Sequence, residues 1–332
     1  MSGADVLVLG GGAAGLACRA ALAGVRETLL LERDAETGGL LRIRETDGFR
    51  FEPTLHVMFF RDPAFRAAVE ALLPEGARSF VKENAVWQRG LRIPYPYQYH
   101  ARSLPDAVRD DCLDGFRRAS GTADGDASYE AWLRAQYGDG FYRHFFGPYN
   151  EKLYGVPPAE LEAGPMLWTL PPGERDAVLG GGVAADRVDH PSTHCLYPRG
   201  PRGIAAVHDA LLGLSKDPIL RETEVVEIDA ARRSVRTASG EQIGYRALAS
   251  SLPLPVLVGR MTGVPADVRA AAAELRAAPV TTVQVGVRED GGALPDHWTY
   301  FPDPEIPFYR LVRLERISPD LCPPGGAALL LE

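Results

Sequence analysis

Cysteine is scarce in this chain: four in 332 residues, at Cys18, Cys112, Cys195 and Cys322. None has a partner at metal-ligand spacing, and four over this length make no disulfide framework. They read as reduced thiols, which predicts a cytoplasmic protein. Positive charge is in deficit, with 36 Lys and Arg against 44 Asp and Glu and a formal charge of −8. A nucleic-acid binder needs clustered basic charge to neutralise phosphates, so that class is excluded. No apolar run approaches the roughly 20 residues of a membrane helix, and the apolar N-terminus carries Asp5 and no basic leader, so neither anchor nor signal peptide is expected. Ser-His-Asp spacing, H-E-x-x-H and a Walker loop are all missing, which leaves a hydrolase or kinase without support.

What the sequence does contain is an ordinary globular composition, 45% hydrophobic, long enough for one large or two intimate domains. Asp5 to Leu9 reads as a buried strand, Gly10 to Gly15 follow at once, and LACRAALAG then suits a helix under a sheet, ended by Gly24. Thr28 to Glu32 is a second buried strand. This is a βαβ unit, so the two strands should be parallel.

Further on, Asp62-Pro63 opens a helix, Ser103-Leu-Pro105 another, and Tyr129 to Tyr137 a third. The aromatic run Phe141 to Tyr154 packs inward, and Pro171 to Gly182 is a turn-rich break. The period then changes to short strands at 224–229, 234–238 and 242–249, a helix at 266–277, and strands at 280–287 and 309–314.

Gly10-Gly11-Gly12-Ala13-Ala14-Gly15 fits G-x-G-x-x-G between a strand and a helix. Gly10 permits the tight turn, Gly12 lets the backbone approach a pyrophosphate, and Gly15 lets helix and strand pack; the helix N-terminus offers its free N–H groups through Ala13 and Ala14. Glu32, 22 residues after Gly10, can accept both hydroxyl protons of an adenosine ribose. Arg33 and then Gly38-Gly39-Leu40 follow it. This E-R-x4-G-G element is similar to the second motif of FAD proteins, with Arg42 adding positive charge, and it favours FAD over NAD.

With these motifs the chain resembles the large FAD family that contains amine oxidases, protoporphyrinogen oxidase and UDP-galactopyranose mutase. Phe49 to His56, Ile93-Pro94-Tyr95-Pro96-Tyr97-Gln98, Pro148 to Gly155, Tyr197-Pro198-Arg199-Gly200 and Phe308-Tyr309-Arg310 look like segments of its mutase branch. Thr54-Leu55 stand where that branch has small residues before its His, and the branch's Arg-bearing nucleotide loop is not recognisable around Asp186-Arg187.

The resemblance implies an α/β fold with a Rossmann-like, three-layer ββα FAD-binding domain formed by residues 1–61 and 195–258. A discontinuous substrate domain of helices and antiparallel strands takes 62–194 and 259–332. It implies FAD as cofactor, His56 beside the flavin, a backbone contact to the adenine from Val225 or Val226, and Arg310 gripping an anionic small-molecule substrate. Tyr95, Tyr97, Tyr149, Tyr154 and Tyr309 are expected around that substrate. Lys152 is expected to bridge Glu151 or a neighbour. Family members continue past the point matching Glu332 with a segment that closes the flavin site, so this sequence is expected to be either a fragment or a protein that has lost that part.

Three functions stay open: hydride transfer to flavin, a redox-neutral sugar-nucleotide mutase, and a non-catalytic flavoprotein.

Overall fold

Alternate residues of Ala4–Leu9 face opposite sides of a sheet, and this alternation builds the first half of the molecule. In the computed structural model, which describes residues 4–123, 127–164, 170, 174–180, 193–289, 292 and 294–332, Val8 and Leu30 pack with Leu16, Leu211 and Leu212 on the helical side. Leu7, Leu9 and Leu31 pack on the other side with Val225, Ile228, Val235 and Ile243. The strands of this sheet lie in the order Val225–Asp229, Ser234–Thr237, Gln242–Ser250, Ala4–Leu9, Thr28–Leu31, Ile219–Leu220. The last four are mutually parallel, and the first two join by antiparallel pairing. Helices Ala13–Leu22 and Ala205–Gly213, a parallel sheet and an antiparallel ribbon make the expected three layers. Every predicted strand here forms within two residues of its expected ends.

The second sheet runs Val283–Val287, Ala327–Leu331, Arg310–Arg313, Trp298–Tyr300, Asn84–Gln88, Leu91–Pro94. It is antiparallel except where Trp298–Tyr300 pairs in parallel with Asn84–Gln88, so the purely antiparallel sheet expected from the sequence becomes a mixed one. Helices Asp106–Arg118, Tyr129–Phe141 and Gly147–Tyr154, with a π-helical turn at Tyr142–Phe146, enclose an aromatic core of Tyr97, Tyr129, Tyr137, Phe141, Phe145 and Phe146.

The chain divides into two compact units, Met1–Arg44 with Ala68–Gly76 and Arg202–Ala277, and Glu45–Ala67 with Ala77–Pro201 and Ala278–Glu332. These boundaries differ from the expected 1–61 and 195–258. Residues after Arg44 belong to the second unit because the fully buried Glu52 takes hydrogen bonds from Tyr197 and, at its carbonyl, from Gln284 (2.8 Å). Strand His194–Pro198 stays there through its pairing with Ala77–Val81. The residues 171–173 and 181–192, with Asp186 and Arg187, lie outside the described residues. Among the described residues no helix is long and apolar enough to cross a membrane.

Candidate functional site

In the first unit two glycine loops are fastened together. Gly10 has φ +96°, a left-handed conformation that a side chain resists. A Cβ on Gly15 would sit 1.9 Å from the Gly10 carbonyl oxygen, so only glycine lets the helix start this close to the strand. At Gly12 the space a Cβ would fill is open, and no side chain caps the helix that begins with the exposed Ala13 and Ala14. Its first N–H groups are therefore available to an anion. The second loop lies against the first: Gly38 N donates to Gly11 O (2.7 Å), and a Cβ on Gly39 would be 3.3 Å from Gly12 Cα.

Glu32 is buried, and its carboxylate accepts the N–H groups of Gly11 (2.6 Å) and Asp34 (2.9 Å). A carboxylate has about four acceptor sites, so two remain for ribose hydroxyls. Arg42 gives one nitrogen to Asp34 (2.7 Å), whereas its buried Nε has no hydrogen-bond partner among the described residues. An unpaired buried donor is costly unless a ligand satisfies it. Arg33 instead is exposed and faces Asp34, and Leu40 is exposed on the turn Gly39–Leu41. Val225 is a core residue; Val226 is the extra residue of a β-bulge, so its backbone is free of the ladder. Open space at Gly12, an uncapped helix and the orphaned Arg42 Nε together fit a dinucleotide pyrophosphate.

In the second unit a separate group of polar side chains forms around Glu332. Its buried carboxylate accepts from Thr54 Oγ1 (2.5 Å), Leu55 N (3.2 Å), Tyr309 OH (3.1 Å) and Arg310 Nε (2.6 Å). Burial alone would raise the Glu332 pKa; Arg310, Thr54 and Leu55 outweigh it and hold the carboxyl below its ordinary value. Burial likewise works against the Arg310 charge, and Glu332 more than restores it. Arg310 therefore does not stand free for a two-pronged substrate contact, as the sequence suggested: one edge of its guanidinium is paired within the chain.

Tyr300 packs on Tyr95 and Tyr149, with ring centroids 5.2 Å apart in each case, and Tyr149 also meets Tyr309 edge-on (6.4 Å). Burial pushes the Tyr95 and Tyr149 phenols well above their ordinary pKa, and that of Tyr309 up to about 12. Tyr300 OH lies 2.7 Å from Trp298 Nε1. The Tyr95 and Tyr149 hydroxyls have no hydrogen-bond partner among the described residues.

Two expected members are elsewhere. Tyr97 is fully buried, stacked on Phe145 (4.5 Å), with its hydroxyl donated to Gln88 (2.9 Å), and so belongs to the core. Tyr154 meets Tyr129 edge-on in the helical core. Lys152 does not bridge Glu151; its three protons go to the carbonyls of Phe301, Asp303 and Phe308, which fixes the loop leading into Arg310.

His56 has its backbone N–H on the buried Glu52 (2.9 Å) and its ring Nδ1 2.8 Å from the Thr54 carbonyl. A carbonyl only accepts, so Nδ1 carries a proton and Nε2 is the nitrogen left for chemistry. Burial opposes its charge, but Glu52, the Thr54 carbonyl and Glu332 raise the pKa overall. Glu52, Tyr300 and Glu332 were missed by sequence reasoning; of the three, Glu52 lay inside a segment singled out for the site, Phe49 to His56.

A model of flavin-containing amine oxidoreductases matches residues 13–330. The chain belongs to that family. Its cofactor is FAD, and it is a flavoenzyme of the amine-oxidoreductase family. Among solved structures, this family member is similar to a reduced UDP-galactopyranose mutase at 24% identity, with TM-score 0.87 over 99% of this chain and 74% of that one. It is also similar to a putative protoporphyrinogen oxidase from Exiguobacterium sp. 255-15, at 18% identity, with TM-score 0.73 over 100% and 77%. A redesigned putrescine oxidase matches at 14% identity, with TM-score 0.66 over 99% and 75%. At these identities the likeness establishes the fold.

Proposed function

We propose that this flavoenzyme oxidises an anionic, hydroxyl-bearing small molecule by hydride transfer. Bound FAD supplies the two-electron acceptor. Gly10 makes the tight turn, its own N–H donated to the Leu31 carbonyl (2.9 Å), and Gly12, Ala13, Ala14 and Gly15 hold the pyrophosphate by backbone N–H groups, with Arg42 adding charge. Glu32 takes the ribose hydroxyls, Gly38, Gly39 and Leu40 bring the second loop alongside, and the bulged Val226 offers its backbone to the adenine.

The observation that carries the substrate class is the group of half-buried Tyr95 and Tyr149, whose hydroxyls lack protein partners, around the charged Arg310. Arg310 attracts an anionic group with the donors Glu332 does not use, and the phenols give hydrogen bonds to substrate hydroxyls or phosphate oxygens. The aromatic walls exclude water. His56, with Nδ1 committed to Thr54, takes at Nε2 the proton that leaves the substrate heteroatom when its C–H bond gives up hydride.

A redox-neutral sugar-nucleotide mutase is the second reading, favoured by the same pairing of a cation with phenols, which suits a diphosphate. One experiment separates the two. Anaerobic bleaching of the oxidised flavin by substrate supports the oxidoreductase. Conversion of a sugar nucleotide only after dithionite reduction replaces that reading with the mutase.

A further inference from the structure

Behind the two glycine loops runs a line of side chains that the cofactor motifs do not include. Thr37 precedes Gly38-Gly39 and is buried, 3% exposed. Its methyl lies under the first loop, 2.7 Å from where a Cβ on Gly11 would be. Thr37 Oγ1 is 2.9 Å from His208 Nε2, His208 Nδ1 is 3.0 Å from Asp209 Oδ1, and Asp209 takes two hydrogen bonds from Arg202 (2.7 and 3.0 Å). His208 and Asp209 belong to the helix Ala205–Gly213. The His208 ring also abuts Gly38, at 3.1 Å from its virtual Cβ.

The donor directions follow from chemistry. Asp209 only accepts, so His208 Nδ1 carries a proton; in the neutral ring Nε2 then accepts the Thr37 hydroxyl proton. The arrangement resembles a nucleophile–base–acid series, but Thr37 is buried and packed against Gly11, so no substrate reaches it. What it can do is hold position. The second loop is tied to the first by Gly38 N and to the helix by Thr37, so the spacing of the two loops depends on this line.

We propose that Thr37 and His208, oriented by Asp209 and Arg202, are positioning residues that set the separation of the two glycine loops and thereby the affinity for FAD. This rests on FAD binding at the glycine loops and is independent of the reaction catalysed.

The test is FAD dissociation from the full-length holoenzyme, read by the fluorescence of released flavin, together with the melting temperature of the apoprotein. Thr37→Val keeps shape and removes the hydroxyl; it should weaken FAD about tenfold, the value of one hydrogen bond, with the apoprotein melting near the wild-type temperature. Thr37→Ser should restore affinity to within about twofold, because the hydroxyl returns. His208→Ala should match Thr37→Val, and the double variant should lose no more than either, since both remove one interaction. Affinity within twofold of wild type in Thr37→Val, or additive losses in the double variant, would overturn the proposal. If Thr37→Val does not fold, His208→Ala decides it alone: unchanged FAD affinity refutes it.

Discussion

The glycine loops of the first unit and the tyrosine–arginine group of the second do their work by different means. The loops act through backbone: Gly10 by its φ of +96°, Gly15 by the carbonyl 1.9 Å from its missing Cβ, and Gly12 by open space. Their members are close in sequence, and the side chains of Glu32 and Thr37 fasten them. The second group acts through side chains that converge from residues 54, 95, 149, 300, 309, 310 and 332. The contrast teaches that a phosphate site can be written as a short motif, whereas a substrate site made of side chains is assembled by topology.

Four measurements can break or sharpen this contrast. The largest effect should come from Arg310→Met. It leaves the buried Glu332 carboxylate without its cation, which costs about 3–5 kcal/mol of stability. Urea unfolding measures it, and a loss below about 1 kcal/mol would show that the pair contributes little, as exposed pairs do.

Next, Gly12→Val should reduce FAD affinity by about two orders of magnitude, some 3 kcal/mol, because its side chain enters pyrophosphate space. The fold should survive, since no atom lies within 4 Å of the new Cβ. Flavin titration and circular dichroism report the two halves, and a tightly binding variant would place the pyrophosphate elsewhere.

The third comparison sets two tyrosines against each other. Tyr97→Phe removes the donor to Gln88 and should cost about 1–3 kcal/mol of stability with no change in KM. Tyr149→Phe loses no protein partner, so it should leave stability within about 0.5 kcal/mol while raising KM for the substrate several-fold. The reverse pattern would exchange their roles.

The smallest effect is one of pH. His56 has a raised pKa in the folded state, so its pairing contributes fully below its ordinary value of 6.5 and is lost as pH rises through the folded value. Glu332 has a lowered one, so its contribution is present above 4.5 and lost as pH falls through the folded value. The stability of wild type relative to His56→Gln should therefore decline as pH rises above 6.5. Urea midpoints across that range check the sign, and a rising difference would mean that Glu52 and Glu332 do not hold the imidazolium.

Much of the fold was legible because hydrophobic period and turn residues are local. Ala4–Leu9, the helix Ala13–Leu22 and Thr28–Leu31 formed where the alternation and the glycines placed them. The candidate site was legible only as far as such local signals reach. Ile93 to Gln98 offered Tyr95 and Tyr97 as equals, two residues apart; Tyr95 joins Tyr300 and Tyr149, while Tyr97 stacks on Phe145 in the core. Lys152 sat beside Glu151 in the sequence, yet the nearer acceptors in space are three carbonyls of residues 301–308.

By itself, then, the sequence determined the dinucleotide loop, the acidic residue after the second strand and the parallel βαβ unit, because each depends on the conformation of adjacent residues. Tertiary structure alone decided that Glu332 meets Thr54 and Arg310, that Glu52 meets His56 and Tyr197, and that Thr37 meets His208. Those pairings join residues up to 278 positions apart, and no spacing along the chain encodes which side chains a mixed sheet and its helices will bring within hydrogen-bond reach.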